Sequence, residues 1–408
     1  MNQVPKALHR QTRRFAQKRE AILDAAVALF TQKGIRGATL ADVAQSVGLI
    51  TNSVTYYYRR KEDLASACYL RTIASLDALI AEALRESTPE ARLARMVALY
   101  FDQRAAIARG EHPPMMSFAD LRALTPPQVD TVFAAYTDLF RHLRELFQDP
   151  SLNLTRPEQN ARTHLLISLV HTVRIWIERF EPEDYGRAAE RMSGILLRGL
   201  AAEGSAWAPA RLPAIAGPSA NEVSPEAFLV AATRLINEQG YRGASVEKIS
   251  ARLQVTKGSF YHHNDNKDDL VAACFEHTFT LIRRVQDTAE AAERTGWDRL
   301  CAATDTLVRF QLSEHGPLLR QSAFSALPEG LRESIRQRWD RLSERFAGII
   351  VDGMMDGSIH PTDPSMAAQL LHAMINAAVE IERWVPGVTP DTASDLFARP
   401  LFTGLLAR

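Results

Sequence analysis

Between Thr51 and Lys61 the chain gathers groups suited to hydrogen bonding and stacking. They are Thr51, Asn52, Ser53, Thr55, three consecutive tyrosines at 56–58, and then Arg59, Arg60 and Lys61. Hydroxyls and amides bond phosphate oxygens or base edges, and cations neutralise phosphates. Core packing is one reading of the three tyrosines, but three successive aromatics cannot all face one side of a helix, so at least one is expected to touch nucleic acid. A related cluster follows 206 residues later: Thr256, Lys257, Gly258, Ser259, Tyr261, His262 and His263, then Lys267. Adjacent histidines point in different directions on a helix and no third ligand is in view, so no metal is expected. No glycine-rich phosphate loop or nucleophile elbow is present, so neither an enzyme nor a cofactor is indicated.

The elements that position these groups occur twice. Residues 19–68 recur without a gap at 225–274: Gly34, Arg36, Gly37 and Ala38 answer to Gly240, Arg242, Gly243 and Ala244, and Lys61, Asp63, Leu64 and Cys68 to Lys267, Asp269, Leu270 and Cys274. Self-similarity at a fixed long period means two copies of one folding unit. Ile22, Ala26, Leu29 and Phe30 make one apolar helix face, repeated by Phe228, Ala232, Leu235 and Ile236. That helix is expected to stop at Gly34. Thr39, with Asp42 three residues on, reads as the N-cap of a short second helix ending near Gly48. A third begins near Thr51, and a fourth runs from about Lys61 past Ile80. Strand periodicity is nearly absent. Late in each half an apolar stripe returns, Leu166 to Phe180 and Leu370 to Trp384, at an offset of 204. The duplication therefore covers whole domains.

A short helix, a glycine turn and a helix rich in hydroxyl and aromatic groups is the form of a helix-turn-helix. GIRGATLADVAQSVG followed by SVTYYYRRKEDL resembles the amino-terminal domain of TetR-family transcriptional regulators, and so does YRGASVEKISARLQVTKGSFYHHNDNKDDL. The resemblance covers about fifty residues twice. It implies an all-α fold: two TetR-like units, each a DNA-binding domain followed by a helical regulatory and dimerisation domain, packed as a pseudo-dimer. It also implies DNA-contacting roles for Thr39, Thr51, Asn52, Ser53, Thr55, Tyr56, Tyr57 and Lys61. In the second copy the same roles fall to Ser245, Thr256, Lys257, Gly258, Ser259, Tyr261, His262, His263 and Lys267. Departures from the pattern are Thr51-Asn52 for the usual Lys-Gly, Thr55 for an aromatic, Gln254 for the turn glycine, and Asn264-Asp265 for an aromatic–basic pair. They leave open a reading in which the second head no longer binds DNA. Because the two recognition helices differ, a non-palindromic operator is expected.

The 408 residues exceed the size of one core, carry zero net charge and are 46% hydrophobic. Nucleic-acid affinity must then come from local patches. Residues 1–19 hold Lys6, Arg10, Arg13, Arg14, Lys18 and Arg19 and no acidic group, and read as a basic arm tracking a groove or phosphates, or as a solvated tail. The segmentation is 1–16 arm, 17–77 first helix-turn-helix domain, 78–205 first regulatory domain, 206–222 linker, 223–283 second helix-turn-helix domain and 284–408 second regulatory domain. No signal peptide or bilayer-spanning run is evident and the three cysteines form no disulfide framework, so a cytoplasmic protein without membrane association is expected. The expected partners are double-stranded operator DNA, a small apolar or amphipathic effector and, beyond the pseudo-dimer, a second copy of the chain. Phe118, Leu121, Tyr136, His171, Phe324 and Trp339 are candidate effector contacts, although such residues are more often core.

Overall fold

The computed structural model describes residues 6–213, 215, 224–252, 267–292, 294–320, 323, 327 and 329–407. Among these residues the protein is helical throughout and forms no strand, with an isolated antiparallel bridge between Ala201 and Ile359. The chain divides into two compact units, Met1–Ala78 with Ala106–Leu139, and Leu79–Ala105 with Phe140–Arg408.

The first unit holds helices α1 (Lys6–Gly37), α2 (Leu40–Ser46) and α3 (Thr51–Tyr57), most of α4 (Lys61–Ala83), a 3₁₀ turn over Phe118–Ala123 and the start of α6 (Gln128–Arg144). Residues read above as an arm are helical from Lys6 and continuous with α1. Of the expected apolar stripe, Ile22, Ala26 and Phe30 are buried on α1, joined by Leu23 and Val27, while Leu29 is half-buried. Gly34 breaks the helical dihedrals at φ 68°, and one more turn follows before the chain enters α2. Thr39 caps α2 in a full capping box: its hydroxyl accepts from the Asp42 amide while the Asp42 carboxylate takes the Thr39 amide. Gly48, at φ 65°, makes the turn into α3. α4 is long and apolar enough to cross a bilayer by length and composition, yet half of that stretch is buried inside the protein.

The second unit contains α5 (Pro89–Ala108) up to Ala105, α7 (Arg156–Trp176) and α8 (Tyr185–Arg198) from the first repeat, and everything from the second. There the helices are α9 (Pro225–Gly243), α10 (Val246–Arg252), α11 (Lys267–Glu290), α12 (Gly296–Gln311), α13 (Glu329–Met355), α14 (Pro364–Ala377) and the short α15 (Ile381–Trp384), followed by helical turns over 390–403. The repeat is reproduced in detail. Gly240 kinks α9 at φ 74°, as Gly34 does α1. Cys274 Sγ lies 3.6 Å from the Leu229 carbonyl where Cys68 lies 3.8 Å from that of Leu23, and the Thr278 hydroxyl takes the Leu319 amide where that of Thr72 takes Met116.

Within this unit α7 and α14, equivalent helices of the two repeats, pack on one another. Leu165, Leu166, Leu169 and Val170 are buried on one, and Leu370, Leu371 and Met374 on the other. Polar groups at this junction are satisfied across it. His164 Nε2 meets the Ala377 carbonyl at 2.9 Å, Asn160 donates to that of Trp384, and the buried Arg162 donates to the Leu405 and Ala407 carbonyls. Phe140 stacks on Trp384 at 3.7 Å. The segment read as a linker is tied down where it is described: Trp297 Nε1 donates to the Ala206 carbonyl, Trp207 packs on Phe402 and donates to Asp395, and Ile215 is buried.

Candidate nucleic-acid interface

Val54 and Tyr58 anchor α3. Both are buried, four residues apart, and seat the helix against the rest of the head. Tyr58 accepts a hydrogen bond from Arg19 Nε at 3.2 Å, and burial raises its pKa despite that cation. With this face pinned, the opposite one must point outward. Thr51 and Asn52 are exposed, Ser53 and Thr55 half-buried, and Tyr56 is 77% exposed. The three tyrosines thus divide as helical geometry requires, with Tyr58 inward, Tyr56 outward and Tyr57 between.

Two contacts had no signal in the sequence. Phe15, on the upstream extension of α1, lies 4.6 Å from the Tyr57 ring and 6.2 Å edge-on from Tyr56. The extension is thereby joined to the recognition helix, with Arg14, Lys18 and Arg19 exposed beside it. Lys61, expected at phosphate, donates within the chain to the Arg36 and Ala38 carbonyls at 3.1 and 3.3 Å. It holds the start of α4 against the turn between α1 and α2. Asp63 accepts from the Arg60 amide and from Gln128 Nε2 at 2.7 Å, linking α4 to α6. Such tertiary partners are brought together by folding and leave no local spacing to read.

In the second copy, Ser245 caps α10, accepting from the Lys248 amide at 3.3 Å. The pair that matches Lys33 and Asp42 is Gln239 and Lys248, and its polarity is reversed. Lys33 donates to Asp42 at 3.3 Å, whereas Lys248 donates to Gln239 Oε1 and the Gly243 carbonyl. Hydrogen bonds from Thr39, with help from Lys33, lower the Asp42 pKa. Lys267 opens α11 half-buried. Thr256, Lys257, Gly258, Ser259, Tyr261, His262 and His263 lie outside the described residues, as do Gln254, Asn264 and Asp265.

Of the candidate effector contacts, Phe118 and Tyr136 come together at 5.0 Å, with Tyr69 stacked on Phe118 at 5.6 Å. Leu121 is half-buried. These belong to the first unit and His171 to the second, where burial pushes its pKa down to about 3. Trp339 is buried between Phe279 and His372. Phe324 lies outside the described residues.

The sequence matches a model of the bacterial regulatory proteins of the tetR family twice, at 22–68 and 228–274, and a tetracyclin repressor-like C-terminal domain at 293–384. It is 38% identical over 66 residues to the transposon Tn10 TetC protein of Escherichia coli, 16% of this chain and 33% of that protein. It is 27% identical over 188 residues to the transcriptional repressor KstR2 of Rhodococcus jostii, 43% of this chain and 87% of the relative. Other curated relatives, mycobacterial regulators at 28% identity, are spanned over 59% of their length. Among solved structures, a TetR-family regulator from Bordetella parapertussis matches at 20% identity and TM-score 0.38, covering 43% of this chain and 92% of its own.

Proposed function

The chain belongs to the tetR family of bacterial regulatory proteins, and we propose that it is a cytoplasmic transcriptional regulator, not an enzyme, that grips operator DNA through two non-identical heads on one polypeptide. The observation that carries this is α3. Its inner face is locked by Val54 and Tyr58, and its outer face offers Thr51, Asn52 and Tyr56 beside exposed Arg59 and Arg60. A helix of this length enters a major groove with its leading residues at base edges. The contact between α7 and α14, equivalent helices of the two repeats, supports reading the fused chain as an intramolecular pseudo-dimer. A small effector bound in a regulatory domain releases DNA by favouring one arrangement of the heads, and this requires different affinities for the two arrangements.

Gel-shift titration of the full chain on duplex selected from a random pool tests this. Tyr56→Ala with Tyr57→Ala, and separately Tyr261→Ala with His262→Ala, are each expected to weaken binding about tenfold or more. Asp265, an acid two residues after His263 in the sequence, favours a second reading in which that head has lost DNA binding. Loss confined to the first pair selects it, and loss in neither pair contradicts both readings.

A further inference from the structure

In the first head the upstream turns of α1 hold α3 from outside. Phe15 and Arg19 stand one turn apart, on one side of α1, and both reach α3. The Phe15 ring lies 4.6 Å from that of Tyr57 and 6.2 Å edge-on from that of Tyr56, while Arg19 Nε donates to the Tyr58 hydroxyl at 3.2 Å. Tyr56 and Tyr57 meet edge to face at 5.5 Å, so the three rings close into one cluster. Phe15 is 44% exposed and too open to belong to the core. Its ring partners are the two tyrosines of α3 that the core does not hold.

The second repeat lacks the side chains for this clamp. In the 206 register Phe15 and Tyr57 answer to Asn221 and His263, and Arg19 and Tyr58 to Pro225 and Asn264. Both contacting pairs are replaced, at all four positions. α9 opens at Pro225 behind the Ser224 cap, in the place of Arg19. Proline suits that first position and closes the helix to upstream extension, because it has no N–H and its ring clashes with a preceding turn. The clamp is therefore a property of the first head and not of the shared fold.

We propose that Phe15 is a positioning residue for the first recognition helix: it holds the Tyr56 and Tyr57 rings in one arrangement and makes the first head the stricter reader of base pairs. The inference rests on reading α3 as a DNA-binding helix. Tyrosines on an open helix face sample several rotamers, and ordering them on binding offsets part of each contact they make. Rings already packed on Phe15 carry less of that cost into the complex, so a correct base pair gains more over a wrong one. Phe15 bears no charge and adds nothing to the phosphate attraction. Its effect falls on sequence discrimination.

The test is anisotropy titration of the full chain on duplex selected from a random pool, on single base-pair variants scanned across it, and on an unrelated duplex of equal length. Phe15→Ala should weaken the selected duplex about threefold to tenfold, the size of one aromatic pair. The unrelated duplex should stay within about twofold, and the salt slope within a few tenths of the parent, since no phosphate contact is lost. In the scan, discrimination should fall on one half of the site. Phe15→Tyr should behave as the parent, and both variants should keep Tm within about 2 °C of it, as exposed substitutions do. Added to Tyr56→Ala with Tyr57→Ala, Phe15→Ala should cost nothing further, because it acts through those rings. Parent-like affinity of Phe15→Ala, equal loss on both duplexes, discrimination lost in both halves alike, or an additive cost in the double-tyrosine variant overturns the inference. The parent chain keeps the two ideas apart: selective binding that Phe15→Ala leaves untouched confines the failure to Phe15, whereas a parent that binds no duplex removes the DNA-binding reading with it.

Discussion

Lys61 shows how one side chain's position separates two jobs. Its ammonium is engaged by the Arg36 and Ala38 carbonyls, so it acts first on the geometry of the head. Lys61→Met is expected to lower stability by about 1–2 kcal/mol in denaturant unfolding, since hydrogen bonds from a charged donor contribute in that range. The salt slope of DNA binding should stay within a few tenths of the parent, because a lost phosphate contact would lower it by about 0.9. His372 sets a pH dependence. Burial holds the native ring neutral down to about pH 4, whereas the unfolded chain takes up the proton near pH 6.5. Stability is therefore full above about pH 6.5 and falls as pH drops towards 4, by on the order of 3 kcal/mol for this residue. His171, with its pKa at about 3 from the same cause, acts in the same direction. Chemical denaturation across pH 4 to 7 checks the slope, which His372→Phe should flatten.

The helix-turn-helix elements were legible because local chemistry dictates them. Thr39 and Asp42 close a capping box, Gly34 and Gly48 take positive φ, and Ile22, Ala26 and Phe30 of the apolar stripe are buried on α1. Gly240 repeats the Gly34 kink at φ 74°, and a Cβ there would meet no atom within 4 Å. With ψ at 165° this is a nearly glycine-only conformation, so Gly240→Ala is expected to cost about 1–3 kcal/mol from the backbone conformation alone, readable as a lower Tm. The upstream reach of α1 to Lys6 was not legible, because charge without apolar periodicity says nothing about helix extent. Its Phe15 contact with Tyr57 joins elements about forty residues apart, which no local pattern encodes. The same is true of the described part of the linker, held by Trp207 and Trp297 through tertiary contacts.

At the scale of the molecule, the proposed reading is that duplication replaces assembly. A homodimeric regulator presents identical heads and depends on protomer concentration. Here α7 and α14 meet within one chain, and the two sides have diverged: Lys33 and Asp42 in one repeat answer to Gln239 and Lys248 in the other. A chain that completes its own pseudo-dimer is expected to be monomeric by light scattering at micromolar concentration, and a dimer would mean four heads per particle. The central claim is tested most directly by the mass and footprint of the complex with duplex selected from a random pool. A tethered pair of heads requires one chain per site, an asymmetric protected sequence and affinity that falls steeply with salt. Two chains on a strictly palindromic site, or no salt-sensitive affinity for any duplex, would contradict it.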